Sequence, residues 1–367
     1  MVGAGALIVR AWRKRHRLAI AARSALSGPA SARRAVEARS SVKIDPFILA
    51  LLATLCVAVV VPCHGAAVPA FNALATVLIA MMFFLQGAKL SRAAVVEGLR
   101  HWRLQGLILL STFALFPLVG LAMRAGLRIA VPGALSEESW TGLLFLCALP
   151  STVQSSIAFT SIARGNVAAA VCAATASNIL GLFITPLLVG LLLGRHGAVS
   201  ADAVVGIVLQ LLVPFIAGQI LQPWIGGWVA RHKKLITFSD RGSILVVVYT
   251  AFSAAITGGL WHILSPAALL WIVGVDLSLL ALVLLLTWGL ARAGGFSRED
   301  EIAIQFCGSK KSLATGVPMA KVLFAGSTAG LIVIPLMIFH QVQLLACAAL
   351  ARRYAARPAD IASAGRA

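Results

Sequence analysis

One proline and five hydrogen-bonding side chains interrupt the fourth apolar segment of the chain, in the run Leu149-Pro150-Ser151-Thr152-Val153-Gln154-Ser155-Ser156. The ninth apolar segment holds a second polar run, Gly308-Ser309-Lys310-Lys311-Ser312. Non-helical backbone inside a bilayer survives only where protein or a water-filled cavity satisfies its N–H and C=O groups. Interrupted segments at corresponding positions of two halves are typical of a transporter site. We therefore predict that the two runs meet near the membrane midplane.

The rest of the composition is that of a membrane protein. Of the 367 residues, 60% are hydrophobic and only 12% are charged, whereas about a quarter of the residues of a soluble domain are charged. The six cysteines stand singly in apolar stretches, which excludes a disulfide scaffold and makes a zinc or iron–sulfur site improbable. Apolar segments long enough to cross a bilayer recur ten times, at 46–64, 68–87, 104–123, 140–161, 167–193, 202–222, 242–261, 267–291, 301–322 and 328–350.

The net charge of +19 does not gather on a domain that could fold in water, so we expect no nucleic-acid partner. Most of the 31 lysines and arginines fall in the residues before the first span, in the loops after each even-numbered span, and after the tenth span. Positive charge in short loops is retained on the cytoplasmic side. The pattern predicts a multi-pass protein of the plasma (bacterial inner) membrane with both termini cytoplasmic.

Ten spans divide into two sets of five, and an odd number of spans forces the second set to be inverted relative to the first. The predicted units are a first five-helix repeat over 44–193 and a second over 202–351. A basic cytoplasmic leader, 1–43, is predicted to be disordered, with a transit peptide or an incorrect upstream start as the alternatives. Residues 352–367 form the predicted cytoplasmic tail.

The lysines of the ninth span are the sharpest functional signal, because a charged side chain at the centre of a span costs at least ~3 kcal/mol and marks a functional site by default. The alternative is a later start of this span, with both lysines reaching the interface. Asp276 is the one carboxylate well inside a span, and we predict that it forms a proton-linked pair with Lys310, with capping or interface placement as the alternative. The isolated Thr76, Ser111 and Thr250 are predicted to bond within their own helices.

The two runs resemble the bile acid:sodium symporter superfamily, together with Phe83-Phe-Leu-Gln-Gly-Ala-Lys-Leu90, Asn178 and Thr185-Pro-Leu-Leu188. Within it, they are most similar to the SBF-like branch of bacterial symporters related to the seventh member of the vertebrate bile-acid carrier family. The resemblance covers about 44–355. It implies an all-α fold of ten transmembrane helices in two inverted five-helix repeats, in which a panel domain moves against a core domain and the broken helices 4 and 9 cross.

The resemblance also implies sodium ions behind the crossing, held by hydroxyls and amides of the fourth and fifth helices and by a Glu and a Gln of the ninth. At the latter positions, within one residue of register, this chain has Phe306 and Lys310. A lysine offers donors and no acceptor, so the metal site is in doubt, and we hypothesise that Lys310 replaces the cation. The candidate substrate- or ion-binding residues are Ser151, Thr152, Gln154, Ser155, Ser156, Thr175, Ser177, Asn178, Gly308, Ser309, Lys310, Lys311 and Ser312.

The sequence contains no ATPase motif, metal-ligand cluster or nucleophile–base pair, so we expect neither catalysis nor primary active transport. The predicted function is secondary transport of a small organic anion by alternating access, without a cofactor. The coupling ion is sodium or a proton, and the hypothesis about Lys310 favours sodium-independent or proton-linked transport. The alternative is a non-transporting regulator of ion (calcium) homeostasis that retains the fold. Substrate, stoichiometry, direction and oligomeric state are left open.

Overall fold

The computed structural model describes residues 46–89, 101–193, 206, 208–259, 265–324 and 328–357. Every regular element among these residues is a helix. They also include two π turns, Ser111–Leu115 and Val208–Leu212. The helices are α1 (Pro46–Val60), α2 (Ala67–Lys89), α3 (Trp102–Ala130), α4 (Glu137–Ala148), α5 (Gln154–Ile162), α6 (Val167–Leu193), α7 (Val213–Arg231), α8 (Lys233–Thr257), α9 (Pro266–Ala293), α10 (Arg298–Gly308), α11 (Leu313–Leu323) and α12 (Thr328–Ala355).

Seven helices of the described chain are long and apolar enough to cross a membrane. Six of them are α2, α3, α6, α8, α9 and α12, and the seventh is the stretch Leu209–Arg231, which contains α7. The prediction of an all-helical, multi-pass membrane protein is therefore confirmed. The arrangement as two inverted five-helix repeats stays a prediction. The predicted leader lies outside the described residues, and the predicted tail is described only as far as 357.

The fourth and ninth predicted spans each consist of two short helices. In the fourth, α4 ends at Ala148 and α5 begins at Gln154. In the ninth, α10 ends at Gly308 and α11 begins at Leu313. We call residues 149–153 the first break and residues 309–312 the second break.

Helix α8 begins at Lys233, earlier than the predicted start at 242. Its polar first turns are stabilised by α2, because the Lys89 ammonium lies 2.5 Å from an Asp240 carboxylate oxygen. Hydropathy alone therefore places the beginning of this helix too late. The contacts described here and below all belong to one compact unit that begins at Ala50.

Helices α2 and α7 approach each other closely at two glycines. A Cβ atom on Gly87 would lie 2.1 Å from the Phe215 carbonyl oxygen, and one on Gly218 would lie 2.0 Å from that of Phe84. Small residues let membrane helices pack backbone against backbone, which replaces the hydrophobic driving force that lipid does not provide.

Candidate functional site

The first break frees backbone carbonyls that an unbroken helix would have satisfied. Pro150 has no N–H for the carbonyl of Leu146, which instead accepts from Leu149 N at 3.2 Å. The N–H of Ser151 turns away to the Ser177 hydroxyl at 3.0 Å, so the Cys147 carbonyl loses its helical partner. A buried carbonyl without a hydrogen-bond partner is costly. The carbonyls of residues 147–151 all accept hydrogen bonds from other parts of the protein.

The partners of these carbonyls come from helices distant in sequence. The Thr185 hydroxyl donates to the Ala148 carbonyl at 2.9 Å, and the Asn178 amide donates to the Ser151 carbonyl at 2.7 Å. The backbone N–H of Ser312 donates to the Pro150 carbonyl at 2.9 Å. The last of these bonds joins the two breaks directly.

The first break and the start of α5 donate hydrogen bonds to the end of α10. The Ser151 hydroxyl donates to the Cys307 carbonyl at 2.6 Å, and the Ser156 hydroxyl donates to the Phe306 carbonyl at 3.1 Å. Both hydroxyls are fully buried. The meeting of the two polar runs is thus found in the structure, and the hydroxyls that the sequence singled out bind protein carbonyls.

Lys311 lies at the centre of this junction with its side chain fully buried. Its ammonium donates to three backbone carbonyls, those of Thr112 at 2.8 Å, Cys147 at 2.7 Å and Leu149 at 2.8 Å. An ammonium has three donors, so the acceptor set matches its hydrogen-bonding capacity. Two of the carbonyls form the end of α4, where the helix dipole is negative. The ring of Phe116 adds a cation–π contact at 4.1 Å.

The Thr112 carbonyl is available because of the π turn in α3. The N–H of Phe116 bonds to the Ser111 carbonyl instead of that of Thr112. A π-type bond to Thr112 would have to come from position 117, and Pro117 has no N–H. The Lys311 ammonium therefore satisfies a carbonyl that the helix itself leaves unpaired. We call the carbonyls of Thr112, Cys147 and Leu149 the Lys311 cradle.

Lys310 occupies a different environment. Its ammonium is also buried, but it donates to one carbonyl, that of Ser155, at 2.9 Å. It lies 3.9 Å from the ring centre of Phe159 and 5.2 Å from that of Phe306. The sequence hypothesis placed Lys310 in the position of a cation, whereas the structure gives the three-carbonyl cradle to Lys311. Both lysine side chains are fully buried within the protein, which argues against the alternative in which they reach the interface.

Two features of the site, the side chain of Gln343 and the π turn in α3, were not identified from the sequence. The side chain of Gln343, on α12, bonds to both backbone polar groups of Lys311, at 2.9 Å in each case. The π turn that exposes the Thr112 carbonyl was also missed, although a proline five residues later could have indicated it. The isolated hydroxyls of Thr76 and Ser111 bond to their own helices four residues back, and that of Thr250 three residues back, as predicted.

Most other candidate residues line the same junction. Thr152 bonds through its hydroxyl to Ser155 at 2.6 Å and to Ser156 at 3.2 Å. The Ser312 hydroxyl caps α11 by accepting from Thr315 N at 3.2 Å. Gly308 and Ser309 are buried, Thr175 is half-buried, and Gln154 is exposed. A Cβ atom on Gly308 would lie 3.1 Å from the Cβ of Ser111, so a side chain there would require Ser111 to shift by a few tenths of an ångström.

Asp276 is fully buried on α9. Neither of its carboxylate oxygens has a hydrogen-bond partner within the described part of the chain. The possible pair with Lys310 is therefore not formed by direct contact in this conformation. The described residues also contain no cluster of three His, Cys, Asp or Glu side chains that could hold a metal ion.

These features agree with the comparisons. The model of the SBF-like CPA transporter family matches residues 45–356. The chain belongs to this family. Over 322 residues, 57% are identical to an uncharacterized protein of Pseudomonas aeruginosa, covering 87% of this chain and 96% of that one. The Escherichia coli protein named "Putative symporter YfeH" is 52% identical over 312 residues, covering 85% and 93%. Sodium/bile acid cotransporter 7 of Mus musculus is 30% identical over 274 residues, covering 73% and 79%.

Proposed function

We propose that this member of the SBF-like transporter family is a secondary transporter of a small organic anion in which Lys311 stands in for a coupling cation. Family membership and the names of the relatives support a symporter-like transporter. The observation that carries the finer proposal is the Lys311 cradle, in which an ammonium occupies three converging carbonyls between the two breaks. Such converging oxygens at the end of a broken helix are what a sodium ion would otherwise bind.

The Lys311 ammonium, which is covalently part of the chain, holds the breaks together without an ion from solution. It lies in the second break and contacts α3 and the end of α4, so it joins the third, fourth and ninth predicted spans. The fourth and ninth are also among the helices that the family resemblance assigns to the sodium ligands. Transport is then independent of sodium, and a proton is the coupling ion, with Asp276 and Lys310 as the buried groups able to exchange one. Alternating access takes place by movement of the helix pair α2 and α7 relative to the junction.

The membrane orientation is part of the proposal. Lys89 at the end of α2 bonds to Asp240 near the start of α8, and Arg103 at the start of α3 donates to the Gly294 carbonyl after α9 at 3.2 Å. Basic loops are retained in the cytoplasm. We therefore assign the end of α2, the start of α3, the start of α8 and the end of α9 to the cytoplasmic side of the bacterial inner membrane.

The test is uptake by proteoliposomes. Radiolabelled organic anions, beginning with taurocholate and simpler carboxylates, are offered in sodium chloride, in choline chloride, and in choline chloride with an inward proton gradient. We expect saturable uptake that is equal in sodium and choline and is raised by the proton gradient. Uptake that requires sodium would contradict the role of Lys311, and the absence of saturable uptake would favour the regulator.

A further inference from the structure

A cavity of about 430 Å³, lined by both apolar and polar side chains, contains none of the residues of the Lys311 cradle. It is bounded by the beginning of α2, the π turn before α7, the end of α8 and the end of α11. Its volume lies within the range of small-molecule sites, about 300–1,000 Å³. The residues that define its chemistry are Cys63, Asn72, Gln210, Ser253, Thr257 and Lys321.

Lys321 is the one charged side chain among the described residues that line this cavity. Its ammonium donates to the Asn72 side-chain oxygen at 3.0 Å, which leaves further donors for a ligand. No carboxylate of the described residues forms an ion pair with it. Lys321 lies in the last turn of α11 and is half-buried, so its ammonium faces the cavity without a counter-charge from the described residues.

Ser253 supplies an independent observation. Its side chain is 1% exposed, and its hydroxyl has no hydrogen-bond partner within the described part of the chain. The neighbouring Thr257 hydroxyl, in contrast, bonds to the Ser253 carbonyl at 2.9 Å. A buried hydroxyl without a partner is unusual in a folded protein, and the residue lines the cavity that Lys321 enters.

The two lysines of the second break, Lys310 and Lys311, are not available to pair with an anion from solution. Lys310 and Lys311 are both 0% exposed, and their ammonium groups bind protein carbonyls. A substrate anion would have to displace these contacts before it could reach either charge. Of these three lysines, Lys321 is therefore the one whose ammonium is available to a ligand.

We infer that the cavity beside Lys321 binds the charged group of a small organic monoanion, a carboxylate or a sulfonate, with Lys321 as its ion-pair partner and Asn72 and Ser253 as hydrogen-bonding groups. The single cation matches one negative charge and does not balance a phosphate monoester, which carries nearly two. The inference rests on the proposed function in treating this ligand as the transported substrate.

Cys63 offers a direct test, because it is a half-buried free thiol that lines the cavity. The purified protein in detergent is treated with an anionic reagent, methanethiosulfonate ethylsulfonate, and with its cationic trimethylammonium analogue. The modification rate of each cysteine is followed by mass spectrometry. Cys56 does not line the cavity and is the comparison within the same molecule. Because it lies within a predicted span, whose exposed face meets detergent, the thermal unfolding midpoint of each variant is the control for correct folding.

We expect the rate at Cys63 to saturate with increasing anionic reagent and to stay linear with the cationic one. In Lys321→Gln the anionic rate should fall at least fivefold and become linear, while Cys56 reacts as in the wild type. Lys321→Arg should retain saturation, and Ser253→Ala should raise the half-saturating concentration. If the unfolding midpoint shows that Lys321→Gln is misfolded, the results for Lys321→Arg and Ser253→Ala decide.

Anionic labelling of Cys63 that is linear in the wild type, or equally fast in folded Lys321→Gln, would overturn the inference. Retained wild-type saturation in Ser253→Ala would remove that residue from the site. The experiment needs neither a membrane nor a gradient. Its failure is therefore distinguishable from the failure of transport, which is measured by uptake.

Discussion

The side-chain amide of Gln343 forms hydrogen bonds with both backbone polar groups of Lys311. Its oxygen accepts from the Lys311 N–H at 2.9 Å, and its nitrogen donates to the Lys311 carbonyl at 2.9 Å. A non-helical residue buried between helices has no ladder to satisfy these two groups. Gln343 therefore fixes the second break in the position from which the Lys311 ammonium reaches its cradle.

Replacing Gln343 by methionine keeps the volume and removes both bonds. Two buried backbone groups would then lack partners, and each such loss costs about 1–3 kcal/mol. We expect a clearly lower thermal unfolding midpoint in detergent, followed by tryptophan fluorescence. Gln154→Met, at an exposed position on α5, is the control and should leave the midpoint nearly unchanged; equal effects of the two variants would contradict the role of Gln343.

The glycine crossing of α2 and α7 gives a second prediction. In Gly218→Ala the new Cβ would meet the Phe84 carbonyl oxygen at 2.0 Å, so the helices must separate, at a cost of about 1–3 kcal/mol. Gly227→Ala lies on the same helix with nothing within 4 Å, and it should be neutral or stabilising by up to ~1 kcal/mol. Unfolding midpoints of both variants test this, and a stable Gly218→Ala protein would show that the crossing is loose.

The hydroxyl of Ser151 joins the first break to the end of α10. Ser151→Ala leaves the buried Cys307 carbonyl without its donor at 2.6 Å, and we expect a destabilisation of about 1–3 kcal/mol. Ser161→Ala, at an exposed position of α5, removes the same chemical group without this consequence. Hydrogen exchange should also increase at residues 306–312 in the first variant alone; unchanged exchange there would argue against a shared junction.

Asp276 behaves differently, because its carboxylate has no hydrogen bond to lose within the described chain. Asp276→Asn is nearly isosteric and avoids any cost of burying an unpaired charge. We expect its unfolding midpoint to equal or exceed that of the wild type, while uptake driven by a proton gradient is lost. A lower midpoint would reveal an ionic partner for Asp276, and retained proton-driven uptake would exclude this residue from the coupling step.

The sequence locates the breaks because prolines, glycines and clustered polar residues are local signals. It cannot decide between Lys310 and Lys311, since the directions of adjacent side chains in a non-helical segment depend on the surrounding helices. The role of Gln343 could not be predicted for a similar reason, since a single amide in an apolar helix belongs to no recognisable sequence motif.

The cavity beside Lys321 is assembled from four segments that are far apart in the chain. No local sequence pattern predicts that these segments lie next to each other. The start of α8 was misplaced because the ion pair that stabilises its polar turns involves Lys89, which is distant in sequence.

The replacement of a coupling cation by Lys311 is tested most directly by the thermal unfolding midpoint in sodium chloride against matched choline and potassium chloride. The measurement compares the wild type with Lys311→Gln, and Lys310→Gln serves as the control because it leaves the three cradle carbonyls occupied. A ligand present at 100 times its Kd stabilises the native state by about 2.7 kcal/mol.

We predict no sodium-specific rise in the wild type or in Lys310→Gln, and a sodium-specific rise in Lys311→Gln, where the vacated carbonyls can accept the ion. A sodium-specific rise in the wild type would contradict the proposal, because it would require a cation site that coexists with the buried ammonium.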